Sequence, residues 1–174
     1  YVEAKKATLA AAKLDGPFYL RLAREKSPVI TTEKSPFEFG KANLLWDSET
    51  PQVALIACGQ LTYSALVVAL KLAEEGIETL VLNLHTIKPI DVVSVINVAR
   101  RAGKVITVEE HQVAGGMGSA VAEVLAENHP VPISFIGVRD QFGQSGTPEE
   151  LLEYYGMGVK AITEAVRKLL VGSK

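Results

Sequence analysis

The chain has 174 residues, 48% of them hydrophobic and 22% charged, the balance of a globular protein of about one domain, which excludes an intrinsically disordered segment. Its 18 basic and 20 acidic side chains leave a net charge of −2, so no broad basic field exists to draw nucleic acid or an anionic membrane. A single cysteine, Cys58, excludes an intramolecular disulfide and any metal site built from cysteine pairs, and suits a reducing, cytoplasmic setting better than secretion.

Residues 1–14 read as a short helix rich in Ala and Lys, stopped by Asp15-Gly16-Pro17. Residues 18–22 alternate Phe18, Leu20 and Leu22 against Tyr19 and Arg21, the period of a strand. One helix and one strand cannot bury their own apolar faces, so this opening unit needs a sheet to join. Tyr1 in place of an initial methionine points the same way, to a piece of a longer polypeptide, with processing as the other reading. From Glu25 to Gly40 the composition shifts to Ser27, Pro28, Thr31, Thr32, Ser35 and Pro36. Prolines remove ladder donors and short polar side chains bond their own backbone, which is linker chemistry. A domain boundary is expected here: 1–24 as the tail of one domain, 25–40 as linker, 41–174 as a second domain.

Beyond the linker, strands are expected over 42–46, 53–57, 78–84, 104–109 and 133–138. Helices are expected over 62–75, 91–102 with Asp91 as N-cap, 119–128, a segment opened by the capping box Thr147-Pro148-Glu149-Glu150 and ended at Gly156, and 159–170. The longest apolar runs fall far short of the ~20 residues of a membrane span, and no basic-then-apolar leader is visible. Apolar strands separated by helices imply a parallel sheet covered on both faces, a doubly wound α/β fold.

The most unusual local sequence is 109–119, EEHQVAGGMGS, which leaves a strand with two acids and a histidine and bends through glycines into a helix. Ligands of open α/β sheets bind outside that edge, and helix N-termini attract anions. His111, Gly115, Gly116, Gly118 and Ser119 are therefore a candidate weak anion site, although the spacing is not G-x-G-x-x-G. The other reading gives the glycines to close helix–sheet packing. His85, His111 and Cys58 all fall near carboxyl ends of strands, while His129 precedes Pro130 at a helix end. Alternate strands lie ~9.6 Å apart, too wide for shared ligation, and no H-x-x-x-H or C-x-x-C pairing exists, so no metal site is expected. Arg21 and Arg24 follow the opening strand, where a guanidinium is a natural phosphate ligand or else a surface arginine beside the linker.

Five stretches carry a resemblance: GPFYLRLAREKSPVI, FEFGKANLL, LHTIKPID, VEEHQVAGGMGSAVAEVLAE and IGVRDQFGQSGTPEELLEYYGM. In this order they resemble the C-terminal portion of thiamine-diphosphate-dependent transketolases, most closely the split type whose C-terminal half is a separate subunit. The resemblance implies a three-layer α/β/α domain with a mostly parallel five-stranded sheet whose first strand is antiparallel. It makes 1–24 the last helix and strand of a pyrimidine-binding domain and 41–174 the C-terminal domain. It implies transfer of a two-carbon ketol unit between sugar phosphates, as in the pentose phosphate pathway. The active site would lie between the cofactor-domain and pyrimidine-domain portions of a homodimer. Thiamine diphosphate and Mg²⁺ would be held upstream, and this chain alone would bind neither and be inactive. One substrate contact would remain: Arg24 in LRLAREKSP matches the arginine that binds the sugar phosphate, with Arg21 as the fallback. Deoxyxylulose-phosphate synthase and the beta subunit of 2-oxoacid dehydrogenases share the superfamily. Ser145-Gly146, where the synthase more often carries His-Gly, favours transketolase. The reading from a different class is a non-catalytic binding or subunit-assembly module.

Overall fold

The computed structural model describes residues 1–172, as helices on both faces of one five-stranded sheet. In chain order the elements are α1 (Val2–Ala11), β1 (Asn43–Trp46), β2 (Val53–Ala57), α2 (Leu61–Glu74), β3 (Thr79–Asn83), α3 (Val92–Ala102), β4 (Val105–Gln112), α4 (Met117–Asn128), β5 (Ile133–Val138), α5 (Pro148–Tyr154) and α6 (Val159–Val171). The strand order is β1-β3-β2-β4-β5, with β1 antiparallel to β3 and every other pair parallel.

The continuous apolar run of β2 divides between the two faces with the period of two that a strand imposes. Val53, Leu55 and Ala57 join the core under α2 and α6, with Leu61, Val68, Leu72, Ile162 and Val166. Ala54 and Ile56 join the core under α3 and α4, with Val95, Ala99, Val121 and Leu125. Each fully buried Val, Leu or Ile contributes about 1.5–3 kcal/mol, so this central strand is the best-anchored part of the sheet. Helix ends follow local chemistry. The Asp91 side chain accepts from the Ser94 amide at 3.1 Å to cap α3, and Gly103 ends that helix at φ +68°. The capping box at Thr147 and Glu150 opens α5.

Five sequence expectations need correction. The residue pattern alone implied a parallel strand at 42–46, whereas β1 is antiparallel, as the family resemblance implied. Only residues 47–52 separate β1 from β2, and a parallel connection needs a crossover of a dozen or more residues. Residues 18–22 are not a strand: no strand of the sheet pairs with them among the described residues; α1 stops at Ala11. β4 continues past Glu109 to Gln112, so His111 lies inside the strand. α4 opens at Met117, two residues early, because a buried carboxylate serves its first amides. Among the described residues, no helix is long and apolar enough to cross a membrane.

Candidate functional site

From β2 the chain crosses through α2 to β3 on one side, and from β3 through α3 to β4 on the other. The gap between the carboxyl ends of β2 and β4 is thus the topological switch point, where open α/β sheets form ligand crevices. Cys58, Gln60, Glu109 and Glu110 surround it. The chain's own N-terminal unit lies against it. Val2 of α1 is buried, and the Asn83 side-chain amide at the end of β3 donates to the Glu3 carboxylate at 2.5 Å. The Arg21 guanidinium donates to the Glu110 carbonyl at 3.0 Å, and the Gln60 amide donates to the Glu110 carboxylate. The Lys6 ammonium donates to the carbonyls of Thr32, Glu33 and Ser35 at 2.9, 3.0 and 2.5 Å, tying residues 32–35 to α1. Beneath this cover, burial pushes the Cys58 thiol up to about 12, the Glu109 charge adds to the rise, and Arg21 opposes it.

The glycine turn is filled from within. Glu109 is 1% exposed, and its two oxygens accept from the Met117 amide at 2.6 Å and the Gly118 amide at 2.8 Å. A negative group at this end of α4 is favoured by the helix dipole, and the protein supplies its own. The Gly115 amide donates to Ser119 Oγ at 2.9 Å, that hydroxyl donates to the Val113 carbonyl at 2.7 Å, and the Gly116 amide donates to the same carbonyl. At the expected seat for an external anion, the amides of Gly115, Gly116 and Gly118 already have acceptors within the chain, and Ser119 Oγ serves Gly115. The packing reading accounts for Gly118, where a Cβ would stand 2.6 Å from Thr107 Oγ1 and 2.9 Å from the Phe135 ring. His111 turns away, its Nδ1–H donating to the Gln112 carbonyl at 2.9 Å.

The other candidates are dispersed. His85 stacks on Phe37 at 4.4 Å with Nδ1 3.0 Å from Thr86 Oγ1; burial holds its pKa below the usual value, against the charge of Glu3. His129 is the C-cap residue of α4. Among the described residues, no group of three or more His, Cys, Asp or Glu side chains could hold a metal ion. Arg24 projects into solvent, its side chain 96% exposed and its Nε 3.9 Å from the Glu25 carboxylate. Two surface cavities lie elsewhere, one of about 300 Å³ beside β5 near Arg139, Tyr155 and Lys168, the other of about 390 Å³ between α1 and Phe37.

The description of the transketolase C-terminal domain matches residues 40–162. The chain belongs to the transketolase C-terminal domain family. It is 43% identical over 155 residues to a 6-deoxy-6-sulfo-D-fructose transketolase subunit of Clostridium sp. (strain MSTE9), a match covering 89% of this chain and 48% of the relative. It is 40% identical over 148 residues to an apulose-4-phosphate transketolase subunit of Phocaeicola vulgatus, covering 84% and 46%. Similarity extends to a 1-deoxy-D-xylulose-5-phosphate synthase of Syntrophus aciditrophicus, at 35% identity over 88% of this chain and 24% of the synthase. A solved split-gene transketolase, an inactive β4 tetramer, superposes with a TM-score of 0.91 at 40% identity, over 97% of this chain and 55% of that one. The chain thus spans about half the length of the curated transketolase subunits it matches and is of the C-terminal transketolase type.

Sequence reasoning missed Glu109 as the internal partner of the glycine turn, placing it as one of two acids that leave the strand. The signal was available. Glu109 continues the face of Val105 and Thr107, and Val105 packs in the core under α3 and α4, whereas Glu110 continues the face of Ile106 and Val108 under α2.

Proposed function

We propose that this chain is the C-terminal part of a transketolase that transfers a two-carbon ketol unit between sugar phosphates, acting only with a second portion that carries the cofactor. The observation that supports this most is the superposition on a split-gene transketolase chain, which extends over nearly the whole sequence, the N-terminal unit included. In this reading residues 1–24 complete a pyrimidine-binding domain, 25–40 link, and 41–174 form the C-terminal domain. Phe18, Leu20 and Leu22 are exposed in a segment of strand period, and Tyr19 is 90% exposed, which suits a segment that adds to the sheet of that other portion. The working enzyme is a homodimer of the assembled portions. Identity to the transketolase subunits exceeds that to the synthase, which favours ketol transfer over the synthase reaction.

Thiamine diphosphate and Mg²⁺ do not fit the residues present. No carboxylate cluster is built for the metal among the described residues, and the turn that could cradle phosphate is occupied by Glu109. The cofactor therefore belongs to the second portion, and this chain contributes Arg24 to the substrate phosphate. A guanidinium clamp of this kind binds ground and transition states alike. Calorimetry tests the division: thiamine diphosphate with Mg²⁺ should give no heat of binding with this chain alone and saturable binding with the assembled portions. Micromolar binding to the isolated chain would overturn it. Arg24→Ala in the assembled enzyme should raise KM for phosphorylated sugars about 10-fold or more with kcat little changed.

A further inference from the structure

We infer that Arg21 is a positioning residue for substrate phosphate: bonded to the Glu110 carbonyl at the vacated edge of β4, it fixes the segment that presents Arg24. This rests on the reading of Arg24 as the phosphate ligand. β2 ends at Ala57, while β4 runs on to Gln112. The last contact between them is the Cys58 amide donating to the Val108 carbonyl at 3.2 Å. Carbonyls of a strand alternate in direction, so the next acceptor on that edge is Glu110, left without a ladder partner by the shorter strand. That carbonyl lies at a solvent-exposed edge and takes a donor from the protein or from water. Arg21 supplies it from 89 residues away in sequence. The acceptor is itself held, because Gln60 at the start of α2 donates to the Glu110 carboxylate.

The segment 17–23 has no helix or ladder of its own. Its placement comes from tethers: Arg21 on Glu110, and Phe18 edge-on to Phe39 at 5.9 Å between ring centres. Three residues beyond Arg21, Arg24 keeps its guanidinium in solvent. Two arginines of one short segment thus divide the work, one bonded to the fold and one left for a ligand.

Steady-state kinetics of the assembled two-portion enzyme with a phosphorylated ketose donor test this. Arg21→Ala should raise KM about 3- to 10-fold with kcat within about two-fold, the scale of one charge-assisted bond at a half-open edge. Arg21→Lys should restore most of the loss, since an ammonium can donate to the same carbonyl. The Arg21→Ala/Arg24→Ala double variant should be no worse than Arg24→Ala alone, because Arg21 acts through Arg24. Additive losses, or an unchanged KM in Arg21→Ala while Arg24→Ala raises it, would overturn the inference alone. An unchanged KM in Arg24→Ala would remove the phosphate reading beneath it. A melting temperature of Arg21→Ala close to that of the parent separates positioning from general loss of structure.

Discussion

Replacing Glu109 by alanine should destabilise the chain far more than replacing its neighbour Glu110. In the native fold Glu109 takes two main-chain bonds at 2.6 and 2.8 Å from the buried residues Met117 and Gly118. Alanine leaves both amides without an acceptor in the interior, and each orphaned donor or lost bond to a charged group costs about 1–3 kcal/mol. The sum is about 2–6 kcal/mol, which brackets the about 3–5 kcal/mol seen when one side of a buried charged interaction is deleted, and we take the latter range. For a domain of this size 1 kcal/mol moves the melting temperature by about 2–4 °C, so a fall of roughly 6–20 °C is expected. Glutamine should fall between, because its carbonyl can serve one amide while its NH2 confronts the other. Glu110, exposed and bonded through its side chain to Gln60, should lose about 1 kcal/mol or less as alanine. Thermal unfolding of the three variants by circular dichroism, with amide exchange at Met117 and Gly118, reads the outcome. A Glu109→Ala shift no larger than that of Glu110→Ala would refute the internal-anion account of the turn.

Three further outcomes are expected. Burial alone would raise the Asp91 carboxyl, but the Ala42 amide and the Ser94 hydroxyl and amide that donate to it hold it below the usual range. Asp91→Ala should therefore cost about 1–2 kcal/mol at pH 7, and the deficit should narrow as pH falls below ~3.9 and through the depressed folded value, which urea titrations across pH would show. Cys58, pushed to about 12 by burial, should react with iodoacetamide at pH 8 at least ~100-fold more slowly in the folded chain than in urea, and rapid native labelling would contradict the raised thiol. Gly118→Ala should cost about 1–3 kcal/mol in urea unfolding, since its Cβ meets Thr107 and Phe135, and a neutral change would remove the packing role of that glycine.

Much of the fold was legible because local chemistry specifies it. Asp91, Gly103 and the Thr147 box mark helix ends without help from tertiary structure. The apolar run of β2 reads as a fully buried strand for the same reason. Direction and pairing were less accessible. The pattern of 42–46 carries no sense of direction; the reversal is carried by the short connection to β2 and by the family resemblance. Residues 18–22 have a strand's period but no ladder partner among the described residues. The glycine turn was recognisable as a special site, yet its occupant depended on which of two adjacent acids faces α4. That choice is visible once the alternation through Val105 and Thr107 is followed to Glu109.

The most direct measurement is ketol transfer between sugar phosphates by purified portions, assayed singly and together with thiamine diphosphate and Mg²⁺. This chain should be inactive by itself and should form a complex with the cofactor-bearing portion that transfers the two-carbon unit. Turnover by this chain alone, or a stable complex that fails to act on any sugar phosphate, would contradict its assignment as the C-terminal part of a transketolase.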